Sequence, residues 1–119
     1  MVAAGRHYRD YHERFTTSVV TVMEMAKGFH KAGRADAIDR LMLALSLHRV
    51  LTFGSENAVL AGRILADLDR AGLPVGRADP MIASMAIRHG LVLVTGNMEH
   101  FGRIASLGYP LRLDTWHSA

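Results

Sequence analysis

A continuous apolar run at residues 91–95 (LVLVT) constrains the fold of this chain more than any other feature. A strand that faces water on one side alternates apolar and polar residues, whereas an unbroken apolar run is typical of a strand buried on both faces. Burial on both faces requires a layer of helices on each side of the sheet. The run therefore predicts an α/β fold built on a mostly parallel sheet.

The segments around this run alternate between strand and helix patterns. Residues 55–71 give the clearest helix, because Leu60, Ile64, Leu65 and Leu68 form one apolar stripe and Gly72 supplies a stop. The predicted strands are residues 15–22, 49–53, 91–95 and 111–116, and the predicted helices are residues 21–32, 36–48, 55–71, 79–89 and 98–106. Residues 1–13 are predicted to form a loop or a short polar helix. A chain of 119 residues is long enough for one domain, which we expect to span residues 1–119.

Composition excludes several classes of protein. The chain has no cysteine, which excludes disulfides, thiol nucleophiles and cysteine-bound zinc. It has no apolar stretch long enough to span a membrane, and its first residues lack the apolar core of a secretory signal. We therefore expect a soluble cytoplasmic protein with no membrane partner. The net charge of +3, carried mostly by arginine, is compatible with RNA binding but is also common in ordinary proteins.

Acidic and polar side chains follow the predicted strands or open the neighbouring helices. Glu24 follows the first strand, Asp79 opens the helix that leads into the apolar run, and Asn97, Glu99 and His100 follow that run. In a parallel sheet these positions meet at one edge, where ligands bind. Carboxylates gathered without basic residues suit Mg²⁺, which prefers oxygen ligands and keeps several waters. The ion could activate water and steady a phosphate during hydrolysis.

The same residues also have structural interpretations, which are the stronger ones when the residues are considered alone. Thr21 and Glu24 have the spacing of a capping box, with Thr21 at the N-cap. Asp79 followed by Pro80 is typical of the first two positions of a helix. Asn97 could simply shape a turn, and a lone histidine such as His100 is more often a surface residue.

Three segments carry a family resemblance through their order and spacing. Residues 17–28 (TSVVTVMEMAKG) contain Glu24, and residues 71–101 (AGLPVGRADPMIASMAIRHGLVLVTGNMEHF) contain Asp79 and the pattern T-x-N-x-x-x-F that includes Asn97. Residues 110–116 (PLRLDTW) resemble a terminal strand that carries a tryptophan. Together, over about residues 15–116, these segments resemble the PIN-domain family and, within it, the VapC-type ribonucleases.

The resemblance implies a three-layer α/β PIN-like domain and an Mg²⁺-dependent endoribonuclease that is the toxin of a toxin–antitoxin pair. It implies that Glu24 and Asp79 bind the metal, Mg²⁺ or alternatively Mn²⁺, and that Asn97 and His100 join them as catalytic residues. The implied partners are an RNA substrate, a cognate antitoxin and a second copy in a homodimer. The apolar face of the helix at residues 36–48 is the expected surface for self-association.

The chain departs from the family pattern at its start. The family opens with a strand followed at once by a catalytic aspartate, and residues 1–14 contain no apolar run of that kind. Asp10 and Glu13 do not follow a strand, so neither takes that role. We therefore expect a domain truncated at the N-terminus that cuts RNA poorly or not at all. We also expect its sheet to close directly between the first strand and residues 91–95, or to be completed by a swapped segment.

Two alternatives remain open at this stage. The chain could be a catalytically impaired PIN-fold module that binds an antitoxin or itself. It could also be an unrelated small α/β protein whose acidic residues only cap helices.

Overall fold

The computed structural model describes residues 16–115. The N-terminal segment, its acidic residues Asp10 and Glu13, and Trp116 in the last predicted strand lie outside the described residues. Within the described range, no helix is long and apolar enough to cross a membrane.

The alternation of strands and helices predicted from the sequence is confirmed. The elements in chain order are β1 (Thr16–Ser18), α1 (Val19–Lys31), α2 (Asp36–Leu45), β2 (Arg49–Leu51), α3 (Ser55–Ala71), α4 (Ala78–Arg88), β3 (Val92–Val94), α5 (Met98–Ser106) and β4 (Arg112–Asp114). Helices α3 and α5 have the predicted bounds. The strands are shorter than predicted, since each contains three residues.

The strands pair in two parallel couples. Strand β1 pairs with β2, with Thr17 opposite Val50, and β3 pairs with β4, with Leu93 opposite Leu113. Among residues 16–115, no hydrogen-bonded ladder joins β1 to β3. The expectation that these two strands close directly on each other is therefore wrong for this part of the chain, while completion by a swapped segment stays a prediction.

Strand β1 ends earlier than its β-branched sequence predicts because a side chain starts the next helix. The Ser18 hydroxyl accepts a hydrogen bond from the backbone N–H of Thr21 at 3.0 Å, which makes Ser18 the N-cap of α1. The fully buried Ser18 and Thr21 hydroxyls also lie 3.0 Å apart. This local capping outweighs the strand propensity of Val19 and Val20.

Helix α4 lies at the centre of the core. Every residue from position 82 to 86 is buried, so α4 is apolar nearly all round, as expected for a helix enclosed by its neighbours. It packs against Ile64 of α3, Leu93 of β3 and Phe101 of α5, all of which are almost completely inaccessible to water. This packing places the start of α4 beside α1 and the carboxyl end of β3.

Glycines end two of the helices that form this core, α3 and α4. Gly72 follows α3 with φ of 68°, and Gly90 follows α4 with φ of 62°, a conformation that glycine adopts without strain. The N–H of Leu73 bonds to the carbonyl of Leu68, and the N–H of Leu91 bonds to that of Ala86. These bonds close each helix and turn the chain, so that α4 leads directly into β3.

Candidate active site

A cleft of about 370 Å³ opens where α1, the start of α4 and the carboxyl end of β3 meet. Ligand sites of parallel sheets commonly form at this edge. The lining residues are Glu24, Gly76, Ala78, Asp79, Ile82, Thr95, Asn97, His100 and Phe101. The structure thus brings together the four residues that the sequence nominated, Glu24, Asp79, Asn97 and His100.

Asp79 is the second residue of α4 and is directed into the cleft. The N-cap of this helix is Arg77, whose side chain makes no capping bond, so the expectation that Asp79 caps the helix is wrong. Pro80 is tolerated in the first turn because the N–H groups there have no partner within the helix. The Asp79 carboxylate instead lies 3.1 Å from Nδ1 of His100.

The electrostatic environment of Asp79 disfavours its charge. Burial raises the pKa of the Asp79 carboxyl above its ordinary value. The hydrogen bond and charge of His100 oppose that rise, whereas the negative charge of Glu24 adds to it. A carboxylate held in this way gains from any cation that enters the cleft.

His100 and Asn97 form a small network with the end of β3. The Asn97 side-chain oxygen accepts a bond from the His100 backbone N–H at 3.4 Å, so Asn97 has a structural role as the N-cap of α5. The Thr95 hydroxyl accepts from the Asn97 backbone N–H at 2.9 Å. Nδ1 of His100 has two side-chain neighbours, since it lies 3.1 Å from the Asp79 carboxylate and 3.1 Å from the side-chain nitrogen of Asn97.

Glu24 lies in the middle of α1 and not at its start. Since Ser18 is the N-cap, Thr21 is already inside the helix and Glu24 is about one and a half turns along it. The capping box expected from Thr21 and Glu24 is therefore absent. Glu24 is exposed and lines the cleft, so no structural role at the helix start accounts for it.

The donor set suits a hard divalent cation that keeps part of its water shell. The cleft lining contains two carboxylates, one amide and one imidazole, and no lysine or arginine. Within residues 16–115, no group of three or more aspartate, glutamate or histidine side chains is close enough to hold an ion by protein ligands alone. Two carboxylates with coordinated waters still fit Mg²⁺ or Mn²⁺.

Other residues near the cleft differ from the sequence interpretation. Glu99 does not line the cleft, because its exposed carboxylate pairs with Arg103 at 2.8 Å. Thr95 has a role that the sequence did not reveal, since its buried hydroxyl holds the turn that carries Asn97. Its place in the T-x-N pattern was the available signal. Ile82 and Phe101 supply the apolar wall of the cleft.

Comparison with known proteins identifies the family. The family model described as the PIN domain matches residues 3–107. The tRNA(fMet)-specific endonuclease VapC of Salmonella typhimurium is 35% identical over 104 residues, which cover 87% of this chain and 76% of that relative. The ribonuclease VapC2 of Rickettsia felis is 30% identical over 91 residues, covering 76% of this chain and 68% of that relative.

Solved structures agree with this relationship. The DNA-bound VapBC complex of Salmonella typhimurium contains a chain that matches with a TM-score of 0.71 at 34% identity, over 85% of this chain and 74% of that one. VapBC-1 of nontypeable Haemophilus influenzae matches with a TM-score of 0.72 at 27% identity, over 87% of this chain and 75% of that one. The chain belongs to the PIN-domain family and is similar to its VapC ribonucleases over most of its length.

Proposed function

We propose that this protein is a metal-dependent endoribonuclease of the VapC type, the toxin of a toxin–antitoxin pair. The observation that carries the proposal is the pair of carboxylates, Glu24 and Asp79, in one cleft whose lining has no lysine or arginine. We further propose that it acts in the cytoplasm, where its RNA substrate is found.

Glu24 and Asp79 are the proposed ligands of the divalent cation, Mg²⁺ or Mn²⁺. Bound there, such an ion would supply Lewis-acid polarisation of a phosphodiester and an activated water. His100 acts on Asp79, since its Nδ1 atom lies 3.1 Å from the carboxylate and holds it in place. Asn97 in turn fixes the backbone of His100. The buried side of the cleft, formed by Ile82 and Phe101, limits the water around these groups.

A cleavage assay with the purified chain tests the proposal. Single-stranded RNA should be cut in the presence of Mg²⁺ or Mn²⁺, and EDTA, Glu24→Gln or Asp79→Asn should each abolish cutting. Glu99→Gln is the matched control, because this neighbouring carboxylate lies outside the cleft and should leave cleavage unchanged. We expect slow cleavage, since the described cleft supplies only two carboxylates and a loosely held ion has poor geometry.

A catalytically impaired PIN-fold module is the second candidate function. It is favoured by the absence, within residues 16–115, of any group of three acidic or histidine ligands. If no divalent ion promotes cleavage while the protein still captures its antitoxin, this second function replaces the first.

An apolar groove between α1 and α2 supports the proposal of an antitoxin partner. The groove measures about 290 Å³ and is lined by Met25, Phe29, Arg34, Ala37, Arg40, Leu41 and Ala44. The two arginines both pair with Asp36, so the groove suits a partner segment that is mainly apolar. The matched relatives from Salmonella typhimurium and Haemophilus influenzae were solved as VapBC complexes.

We also propose that the chain forms a homodimer. Met42, Leu43 and Leu47 at and just beyond the C-terminal end of α2 are exposed, Leu43 to 71%, and a cluster of exposed large apolar side chains is typical of a protein interface. Light scattering at micromolar concentration should give the mass of a dimer. A monomer mass would contradict this proposal without affecting the proposed chemistry.

A further inference from the structure

Three cations have no hydrogen-bond or ion-pair partner within residues 16–115. Lys27, Lys31 and Arg77 make no hydrogen bond or ion pair with any residue from 16 to 115. Each of the other arginines in this range contacts a carboxylate, a ring or a backbone carbonyl. The chain has only two lysines, and both are in this unpartnered set.

All three cations belong to segments that border the cleft, although none of them is among its lining residues. In an α-helix, residues three, four and seven positions apart share a face, so Lys27, Gly28 and Lys31 lie on the face of α1 that carries Glu24. The two lysines follow Glu24 by about 4.5 Å and about 10.5 Å along the helix axis. Arg77 is on the other side, between Gly76 and Ala78, which both line the cleft.

The fold itself does not account for these charges. Lysine in the last turn of a helix is favoured by the helix dipole, which explains Lys31 but not Lys27. Arg77 is the N-cap residue of α4, where the same dipole disfavours a cation. The helix dipole therefore gives no reason for an arginine at this exposed position.

Gly28 leaves the surface of α1 bare between Glu24 and Lys31. A side chain at this exposed position would meet nothing within 4 Å, so packing does not require glycine here. Glycine in a helix interior is unfavourable compared with alanine. A ligand backbone that passes close to the helix would explain glycine at position 28, because glycine has no side chain in the way.

We propose that Lys27, Lys31 and Arg77 bind phosphate groups of single-stranded RNA on the two sides of the cleft, an inference that rests on the proposed ribonuclease function. The strand crosses α1 at Gly28, which lies between Lys27 and Lys31, and Arg77 holds it beyond the cleft. Two carboxylates in the cleft repel a polyanion, so the affinity for RNA has to come from cations around it. The flanking cations supply that attraction and deliver one phosphate to the carboxylates.

The test measures binding apart from hydrolysis. Fluorescence anisotropy of a fluorescein-labelled single-stranded RNA oligonucleotide, in EDTA and over a range of salt concentrations, is recorded for the wild type, Lys27→Gln/Lys31→Gln and Arg77→Gln. The matched control is Arg49→Gln/Arg112→Gln, which removes two exposed charges at the amino ends of β2 and β4, the edge opposite the cleft. Melting curves check that every variant is folded.

The expected result is that RNA affinity depends less on salt in Lys27→Gln/Lys31→Gln and in Arg77→Gln than in the wild type. Each phosphate contact to a single strand contributes about 0.7 to the slope of log K against log salt, so the slope should fall by about 1.4 in the lysine double variant and about 0.7 in Arg77→Gln. The control should keep a steeper slope and a higher affinity than the lysine double variant.

Other outcomes overturn the inference. If the lysine double variant matches the control, the cations do not bind RNA. If it binds RNA normally but loses the antitoxin, they serve a protein partner. A wild type that binds no RNA refutes both this inference and the proposed function. RNA binding that depends on the three cations, without metal-dependent cleavage, supports the inference and refutes only the proposed hydrolysis.

Discussion

The Asp79 carboxyl has a higher pKa than an ordinary aspartate, because of burial and the nearby charge of Glu24. The unfolded chain then gives up its proton at lower pH than the folded chain, so stability declines as pH rises from about 3.8 through the raised folded pKa. We predict that Asp79→Asn, which cannot ionise, melts at a higher temperature than the wild type at neutral pH. The advantage should disappear below pH 3.8, where Asp79 is protonated in both states.

Divalent metal provides the complementary measurement for the same variant. A ligand that binds only the folded state raises the melting temperature. Mg²⁺ or Mn²⁺ should therefore stabilise the wild type at neutral pH and leave Asp79→Asn unchanged. If metal stabilises the wild type and Asp79→Asn equally, the ion binds elsewhere. If the two proteins melt at the same temperature at every pH, the raised pKa of Asp79 is contradicted.

Tyr109 lowers the pKa of a second carboxylate, that of Asp67. Its hydroxyl donates a hydrogen bond to Asp67 of α3 and, together with Arg70, lowers the pKa of Asp67 against the effect of burial. The stabilisation is present above the unfolded value of 3.8 and is lost as pH falls through the lower folded pKa. We predict that Tyr109→Phe lowers the free energy of unfolding at neutral pH, and by less well below pH 3.8. Urea denaturation at neutral pH and well below pH 3.8 measures the difference in the free energy of unfolding between wild type and Tyr109→Phe. A difference that does not depend on pH would contradict the effect of Tyr109 on the pKa of Asp67.

At the level of single residues, the sequence could nominate the site but not explain its members. Glu24 and Asp79 are expected at one edge of the sheet from their places in the predicted elements and from the family resemblance, while local patterns favour helix caps for both. That interpretation failed because Ser18 and Arg77, each only a few residues earlier, are the true N-caps. The bond from His100 to Asp79 spans 21 residues, and no local pattern encodes such a contact.

At the level of elements, α1 has two faces with different uses. Val20, Thr21 and Glu24 share one face, which is buried at the start of the helix and lines the cleft at Glu24, whereas Met25 and Phe29 line the groove beside α2. One helix therefore borders both the proposed RNA site and the proposed antitoxin site. Sequence periodicity could not separate these faces, because methionine and phenylalanine in a groove resemble core residues in any apolar stripe.

Gly28→Ala tests whether glycine at position 28 makes the protein less stable than alanine would. The position is helical and exposed, and an added methyl group meets no neighbour, so alanine should stabilise the protein by about 0.5–1 kcal/mol. Thermal melting measures the gain. Gly62→Ala in the exposed part of α3 is a matched control with similar space. If Gly28→Ala lowers the melting temperature while Gly62→Ala raises it, glycine at position 28 serves the fold after all.

Element bounds were predictable where the signals were local and strong. Gly72 ends α3 and Gly90 ends α4 in a left-handed backbone conformation, and a glycine in the sequence predicts that conformation at the end of a helix. The bounds of β1 were wrong because the strand and helix signals overlap around Thr21. Strand pairing depends on residues far apart in the chain, so the division into two parallel couples between residues 16 and 115 was beyond local patterns.

At the scale of the whole molecule, the groove between α1 and α2 and the cleft are separate surfaces that share one helix. A change in the groove should therefore affect partner binding without affecting RNA. Ala44 is suited to this, because it lines the groove yet is exposed, so a longer side chain costs the fold little. Glutamate there adds a negative charge to a groove whose other lining residues, apart from two arginines paired with Asp36, are apolar, and this charge disfavours contact with an apolar partner segment.

We predict that Ala44→Glu weakens the complex with the cognate antitoxin at least tenfold, which corresponds to about 1.4 kcal/mol, and leaves RNA binding unchanged. Ala58→Glu on the exposed side of α3 is the matched control and should retain wild-type affinity. Isothermal titration with the antitoxin and anisotropy with RNA measure the two effects, and light scattering reports the mass of the chain alone. Loss of a dimer with normal antitoxin binding would assign the groove to a second copy. Loss of RNA binding would mean that the two surfaces are not independent, because α1 would then transmit a change in the groove to Glu24 and the lysines.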